Sequence, residues 1–154
     1  MATSATAQKM GPTAKNKPSS AFYEKLLAHV TKKEWWHVPP RDLGSYKKRG
    51  KFFASSFREA EFWGRPLDEP QKVTIAVPLI GDEATIEKAL LGRRVSSEDI
   101  TMEERWALDA KMKSEALARG FDSIVLLSSR GFSEFSKGGR LPRSIELNVL
   151  EPSK

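Results

Sequence analysis

Glu146 is the residue of this chain whose type and setting most clearly suggest chemistry. It lies in residues 144–150, where apolar and other residues alternate in a pattern that predicts a strand. If Ile145, Leu147 and Val149 face the core, Glu146 faces either solvent or a cleft. A solvent-exposed strand glutamate needs no special role. In a cleft, its carboxylate could stabilise a cationic sugar and orient a hydroxyl, as cleavage of a glycosyl bond through an oxocarbenium-like transition state requires.

A second group of candidates, for ligand binding, is formed by His37, Phe53, Ser55 and Ser56. His37 ends a short apolar segment before two prolines, so it either packs there or donates a hydrogen bond to a ligand. Ser56, followed by Glu59, predicts a helix N-cap, and a helix N-terminus can also bind a diphosphate. Phe53 is either a core residue or a stacking surface, and Ser55 is either structural or part of the same anion site.

The composition restricts the kinds of site that the chain can build. Its 154 residues favour one domain. It has no cysteine, which excludes disulfides, thiolate zinc sites and a cysteine nucleophile. It has 2 histidines, which argues against a histidine-rich metal site. It contains neither a Gly-x-Gly-x-x-Gly motif nor a P-loop, so dinucleotide-fold oxidoreductases and P-loop enzymes are not expected.

The charge of the chain points to anionic partners. The net charge is +6, and basic residues cluster in two predicted loops, 41–51 and 130–143. These clusters are either simply solvated or attract an anionic ligand or macromolecule. Aromatic residues are not interleaved with the basic ones, so a nucleic-acid partner is only weakly indicated.

Residues 1–19 predict a disordered basic tail, because they are mostly small and polar and contain no acidic residue. Residues 20–154 are then the folded domain. No run of about 18 apolar residues exists, so we expect no membrane span. We expect a cytoplasmic protein, with secretion into a host cell through the tail as the alternative.

The elements that must position the candidates are predicted by periodicity and by capping residues. Helices are expected at 21–33, 56–64, 83–91 and 101–119, and strands at 35–38, 52–54, 72–79, 123–127 and 144–150. The segment 72–79 gives the strongest strand signal. In the longest helix, the apolar stripe predicted to be buried consists of Met102, Trp106, Ala110 and Leu117. Short strands that do not alternate strictly with helices favour an α+β domain over a doubly wound sheet.

The order of these segments resembles that of the ADP-ribosyltransferase-like family, in the style of its compact bacterial or phage-type members. A Trp-His-Val strand is followed by Phe-Phe-Ala-Ser-Ser, a short helix ending in Trp-Gly, and a Val-rich strand. An Arg-Gly-Phe-Asp-Ser-Ile turn and the strand Ser-Ile-Glu-Leu come later. Each motif alone is weak, but together they cover residues 35–150 in the family's order.

The resemblance implies a split-sheet core and an enzyme that uses NAD as its substrate. By this resemblance, His37 would bind the nicotinamide ribose, and Phe53 and Ser55 would line the nicotinamide pocket. The helix N-terminus at Ser56 would hold the diphosphate, and Glu146 would support cleavage of the nicotinamide–ribose bond. The implied activity is mono-ADP-ribosyl transfer to a protein target, of the toxin or effector kind. The loop 130–143, expected to be mobile, would meet that target.

The chain departs from the family's pattern at two points. Val38 and Pro39 follow His37, where the family has a small Gly-Thr pair. Ser144 stands two residues before Glu146, where many members have a Gln or Glu that orients the acceptor. Hydrolysis of NAD, transfer to an unusual target, transfer to a phosphorylated RNA, and a catalytically degenerate basic binding module for nucleic acid or protein therefore stay open.

Overall fold

The computed structural model describes residues 20–40, 44–61, 69–95 and 99–151. The helices are α1 (Ser20–Lys32), α2 (Ser45–Arg49), α3 (Phe57–Glu61), α4 (Glu83–Leu91), α5 (Met102–Ala118) and α6 (Ser129–Gly138). The strands are β1 (Glu34–Trp35), β2 (Lys51–Ala54), β3 (Gln71–Lys72), β4 (Pro78–Gly81), β5 (Ser123–Leu126) and β6 (Glu146–Val149). The predicted tail, residues 1–19, lies outside the described residues.

The strands form two small sheets, which confirms the α+β class. β1 pairs with β3 in an antiparallel ribbon, and the larger sheet has the order β2-β6-β5-β4. In the larger sheet β4 and β5 are parallel, whereas β6 is antiparallel to both of its neighbours. A single antiparallel bridge between Trp36 and Ala54 connects the chain after β1 to the outer side of β2.

Both faces of the larger sheet are covered by helices. On one face the buried core includes residues of α1 and α6 together with Phe53, Val125 and Leu147. On the other face the buried core includes residues of α4 and α5 together with Ile124 and Leu150. The apolar face predicted for residues 144–150 is therefore right, but the opposite face of β6 is buried as well.

The predicted helix end at Gly92 and the predicted capping box of Thr101 and Glu104 occur as expected, and the structure adds Asp82 as the N-cap of α4. Asp82 caps α4 by accepting a hydrogen bond from the Thr85 amide at 2.8 Å, and the helix ends at Gly92 in the left-handed conformation. Thr101 and Glu104 form a reciprocal capping box at the start of α5. These local hydrogen bonds are why the two helices could be located from sequence.

The strand predicted at 72–79 is wrong in its position. β3 ends at Lys72 and β4 begins only at Pro78, so the alternating residues lie between two strands. The carboxylate of Asp122 accepts hydrogen bonds from the amides of Ala76 and Val77 at 2.7 and 3.1 Å, and thus takes the place of a neighbouring strand. Val77 is accordingly 39% exposed.

We expect Asp122→Ala to lower the free energy of unfolding by about 1 to 2 kcal/mol, because two backbone amides lose a charged acceptor at a partly solvated position. Urea denaturation of the variant and of the parent protein measures this change. Asp99→Ala removes an exposed aspartate and serves as the control. A cost for Asp122→Ala no larger than that of the control would mean that packing of Val73 and Ile75 alone holds the segment.

The two basic loops are also corrected by the structure. Residues 41–51 include α2, and residues 130–143 include α6, so the predicted mobile contact for a target protein is largely a helix. Ser128 caps α6 by accepting from the Gly131 amide at 3.0 Å, while Phe132 and Phe135 are buried against the first core. Because the segment is rich in glycines and basic residues, it was predicted as a loop, and the apolar i, i+3 spacing of Phe132 and Phe135 was overlooked.

The apolar stripe predicted for α5 is wrong as well. Its buried residues are Leu108, Lys113 and Ala116, while Met102 and Trp106 are 62% and 46% exposed. In α3 Ala60 is buried but Phe57 is exposed, and the predicted helix end at 62–64 lies outside the described residues. None of the helices in the described residues is long and apolar enough to cross a membrane.

Candidate functional site

Glu146 lies at the centre of one edge of the larger sheet. The carboxyl ends of β2, β4 and β5 meet the amino end of β6 there, because Glu146 is paired with Ala54 on one side and with Leu126 on the other. Gly81, the last residue of β4, is paired with Leu126. In open sheets with helices on both faces, this is the edge at which ligands commonly bind.

The Glu146 side chain lies on the face of the sheet that α4 and α5 cover. Leu126, its partner on β5, packs against the core on that face. Phe53 and Leu147 are paired in the adjacent row and belong to the other core. Glu146 is partly buried rather than freely solvated, which favours the cleft interpretation of this strand glutamate over the exposed one.

Charged side chains from two helices act on Glu146: Glu83 of α4, and Arg105 and Asp109 of α5. Arg49 of α2 acts in turn on Asp109. We call these four residues, together with Glu146, the Glu146 cluster. Arg105 donates to Glu83 at 2.9 Å, and Arg94 donates to the other oxygen of the same carboxylate at 2.8 Å. Within the described residues, no group of three or more acidic or histidine side chains could hold a metal ion.

The cluster holds two carboxyl groups that titrate near neutral pH. Burial raises the pKa of Glu146 to about 7, and the negative charges of Asp109 and Glu83 add to this while Arg105 opposes it. Burial likewise raises the pKa of Asp109 to about 6, against the positive charges of Arg105 and Arg49. Glu146 can therefore act as a carboxylate or carry a proton in the physiological range.

The backbone of α2 is fixed from two sides, which holds Arg49 in place. The Lys113 ammonium of α5 donates to the Lys47 carbonyl, and the Asn148 amide donates to the Arg49 carbonyl at 3.2 Å. Gly50 then turns the chain into β2 at φ +87°, and a Cβ there would lie 2.5 Å from Asn148 Oδ1. Glycine is thus required at the turn that directs Arg49 toward the cluster.

Two aromatic groups lie on the Glu146 face of the sheet edge. The Arg49 guanidinium lies 5.0 Å from the centroid of the Trp106 ring. Trp36 is bridged to Ala54, the β2 partner of Glu146, and its ring contacts that of Phe57 edge-on at 5.1 Å. Trp36, Ala54 and Glu146 therefore form one cross-strand row.

His37 and Phe53 lie on the opposite face of the sheet from Glu146. Their rings are 5.5 Å apart, and His37 is only 2% exposed. Its Nδ1 lies 2.7 Å from the Phe52 carbonyl, which can only accept, so Nδ1 carries the proton. Its Nε2 lies 2.8 Å from the Tyr46 hydroxyl. The structure brings His37 and Phe53 together but separates both from Glu146, and both ring nitrogens have protein partners.

Ser55 and Ser56 are adjacent to this edge but have structural partners. The Ser55 hydroxyl donates to the Glu59 carboxylate and accepts from the Ile145 amide at 3.2 Å, so it fixes the chain just before Glu146. Ser56 accepts from the Glu59 amide at 3.1 Å, as expected of an N-cap. The capping box is incomplete, because the Glu59 carboxylate is bound by Ser55 instead.

Three residues of the Glu146 cluster were not singled out from sequence: Glu83, Arg105 and Asp109. Arg49 was included only as one of the basic residues of 41–51. Arg105 and Asp109 have i, i+4 spacing, which usually indicates only an exposed ion pair on a helix. The one signal was Asp109 itself, a carboxylate between Leu108 and Ala110. Nothing in the sequence indicates that α5 packs over the start of β6.

The motifs that resemble the ADP-ribosyltransferase-like family are distributed over both faces of this sheet. The Trp-His-Val motif contributes Trp36 on the Glu146 side and His37 on the other side. The Phe-Phe-Ala-Ser-Ser motif runs through β2 to the same sheet edge. Comparison of the chain with family models, with curated proteins and with solved structures finds no match in any of the three sets.

Proposed function

We propose that the protein cleaves the nicotinamide–ribose bond of NAD and transfers the ADP-ribose to a protein target. The observation that carries the proposal is the position of Glu146, partly buried at the carboxyl edge of the sheet, with Arg105 acting on it and Arg49 acting on the adjacent Asp109. A carboxylate at such an edge is suited to a cationic sugar, and arginines beside it are suited to a diphosphate.

In this mechanism the bond between C1′ of the ribose and the nicotinamide nitrogen breaks, and its electron pair leaves with neutral nicotinamide. The ribose is left with an oxocarbenium-like positive charge. The ionised Glu146 carboxylate stabilises that charge as it develops, because it is held on a strand and does not have to reorganise. A nucleophile of the target then bonds to C1′ and loses its proton.

Trp36 and Phe57 are suited to form the wall of the nicotinamide pocket. Trp36 is in the same cross-strand row as Glu146, one strand away, and Phe57 is exposed beside it. Planar rings that contact edge-on provide an apolar surface on which a heteroaromatic ring can pack. NAD would then approach on the α4 and α5 face. His37 and Phe53 lie on the opposite face of the sheet, so NAD bound in this way would not contact them. Direct contacts of NAD with Ser55 and Ser56 stay predictions, with Ser55 also supporting the start of β6.

The test is mass spectrometry of the purified protein incubated with NAD and a cell lysate. We expect free nicotinamide and a lysate protein whose mass increases by one ADP-ribose, with both signals lost in Glu146→Gln. Glu151→Gln is the matched control, because Glu151 is exposed and lies just after the same strand. No nicotinamide release by the parent protein, or full release by a folded Glu146→Gln variant, would reject the proposal.

Hydrolysis of NAD is the second candidate, and one observation favours it. Asp109 places a second carboxyl group near Glu146, while the residue two before Glu146 is an exposed serine that cannot serve as the acceptor-orienting carboxylate or amide. An ionised Asp109 could take a proton from a water that attacks C1′. Nicotinamide release that is equally fast with and without lysate, with no labelled protein, would identify the hydrolase.

A further inference from the structure

Trp106 is an exposed aromatic residue on a helix that could have buried it. It is 46% exposed and lies one turn after Met102, which is 62% exposed, whereas Lys113 of the same helix is buried. Trp106 therefore lies at the border between the exposed start of α5 and the partly buried Arg105 and Asp109. An exposed indole beside a guanidinium is suited to bind a ligand that has both an aromatic ring and a negative charge.

The surroundings of Trp106 connect it to the Glu146 cluster. Arg105 precedes it in α5, and Asp109 follows it at i+3 on the same side of the helix. The Arg49 guanidinium lies over its ring, 5.0 Å from the centroid, and the same cation acts on Asp109. The Arg49 guanidinium thus covers one face of the indole. Trp106 is nevertheless 46% exposed.

We propose that Trp106 is the stacking surface for the adenine ring of NAD, on the indole face that Arg49 does not cover, with the Arg49 guanidinium available to the diphosphate. The inference rests on the proposed function, since it assumes that Glu146 receives the nicotinamide ribose. Trp36 and Phe57 would then hold the nicotinamide end, and Trp106 the adenosine end. Base stacking on an aromatic side chain strengthens the binding of a nucleotide, and a neighbouring guanidinium also attracts phosphate oxygens.

The test compares two substrates in the same variants: NAD, and nicotinamide mononucleotide, which has the scissile bond but no adenine. We expect Trp106→Ala to raise KM for NAD about tenfold, within the range for loss of one base stack, and to leave kcat unchanged. KM for nicotinamide mononucleotide should not change. Trp106→Phe should restore most of the affinity for NAD, and Met102→Ala, one turn away, is the control for changes in the exposed helix surface. An unchanged KM for NAD, or an equal rise for both substrates, would overturn the assignment.

Calorimetric binding of ADP-ribose separates this inference from the proposed function. ADP-ribose has the adenine and the diphosphate but no scissile nicotinamide bond. Binding to the parent protein that weakens about tenfold in Trp106→Ala supports the stacking role even if NAD is not cleaved. If the parent protein does not bind ADP-ribose, or if both proteins bind it equally, the inference is wrong whether or not nicotinamide is released.

Discussion

Replacing Glu146 by glutamine is expected to stabilise the protein at pH 8 by about 2 to 3 kcal/mol and to slow nicotinamide release from NAD about 100-fold or more. Stability rises while activity falls, because the buried charge of Glu146 destabilises the folded protein but stabilises the cationic ribose in the reaction. Few substitutions would raise stability and remove activity together. This combination would distinguish a functional carboxylate from a structural one.

The gain in stability follows from the raised pKa of Glu146. In the folded protein burial raises the pKa to about 7, from an ordinary value of 4.5. Between these two values the unfolded chain has lost its proton while the folded protein has kept it, so the free energy of unfolding falls as pH rises. Above pH 7 the full cost of the buried charge is present. Glutamine never ionises, so the variant avoids this cost at pH 8 and gains little below pH 4.5.

Chemical denaturation at pH 4.5 and at pH 8 measures this difference, and nicotinamide release at pH 8 measures the activity. Glu151→Gln, which removes an exposed carboxylate, should show neither effect. Equal stability of Glu146→Gln and the parent protein at both pH values would mean that Glu146 is solvated in the folded protein. A variant less stable at pH 8 would mean that the carboxylate is held by favourable contacts.

Sequence predicted those parts of the fold that local hydrogen bonds determine. The N-cap Thr101 located the start of α5 and the C-cap Gly92 located the end of α4, since capping depends on residues within one turn of each other. α6 was predicted as a loop because its glycines and basic residues are typical of loops, although Phe132 and Phe135 have the apolar i, i+3 spacing of a helix. The strand at 72–79 was misplaced because Asp122, remote in sequence, satisfies its amides.

Glu146 was a candidate from the sequence, whereas its neighbours in the Glu146 cluster were missed. Glu146 was found because a strand has a period of two, which makes a carboxylate within an apolar alternation conspicuous. Asp109 acts on it only through the tertiary placement of α5, and Arg49 and Trp106 are connected to Asp109 through the contact of α2 with α5. His37 shares a motif with Trp36, yet strand alternation directs the two side chains to opposite faces.

The rate of NAD cleavage is expected to rise with pH through about 7, and two charge-removing substitutions should move this rise in opposite directions. Only the ionised Glu146 can stabilise the cationic ribose, and kcat/KM reports the pKa of the free enzyme. Glu83 of α4 and Arg105 and Asp109 of α5 act on Glu146. Arg49 of α2 acts on Asp109.

Asp109→Asn removes a negative charge, so the pKa of Glu146 falls and the rise moves to lower pH by about one unit. Arg105→Gln removes the positive charge that opposes the shift, and it also leaves Glu83 without that partner. The pKa of Glu146 then rises, and the midpoint moves to higher pH by a similar amount. Initial rates of nicotinamide release at low NAD, measured between pH 5.5 and 9 in both variants and the parent protein, give the three midpoints. The pKa of Glu146 must respond to these two charges with opposite signs. Midpoints that move in the same direction, or do not move at all, would therefore mean that a different ionisation limits the reaction.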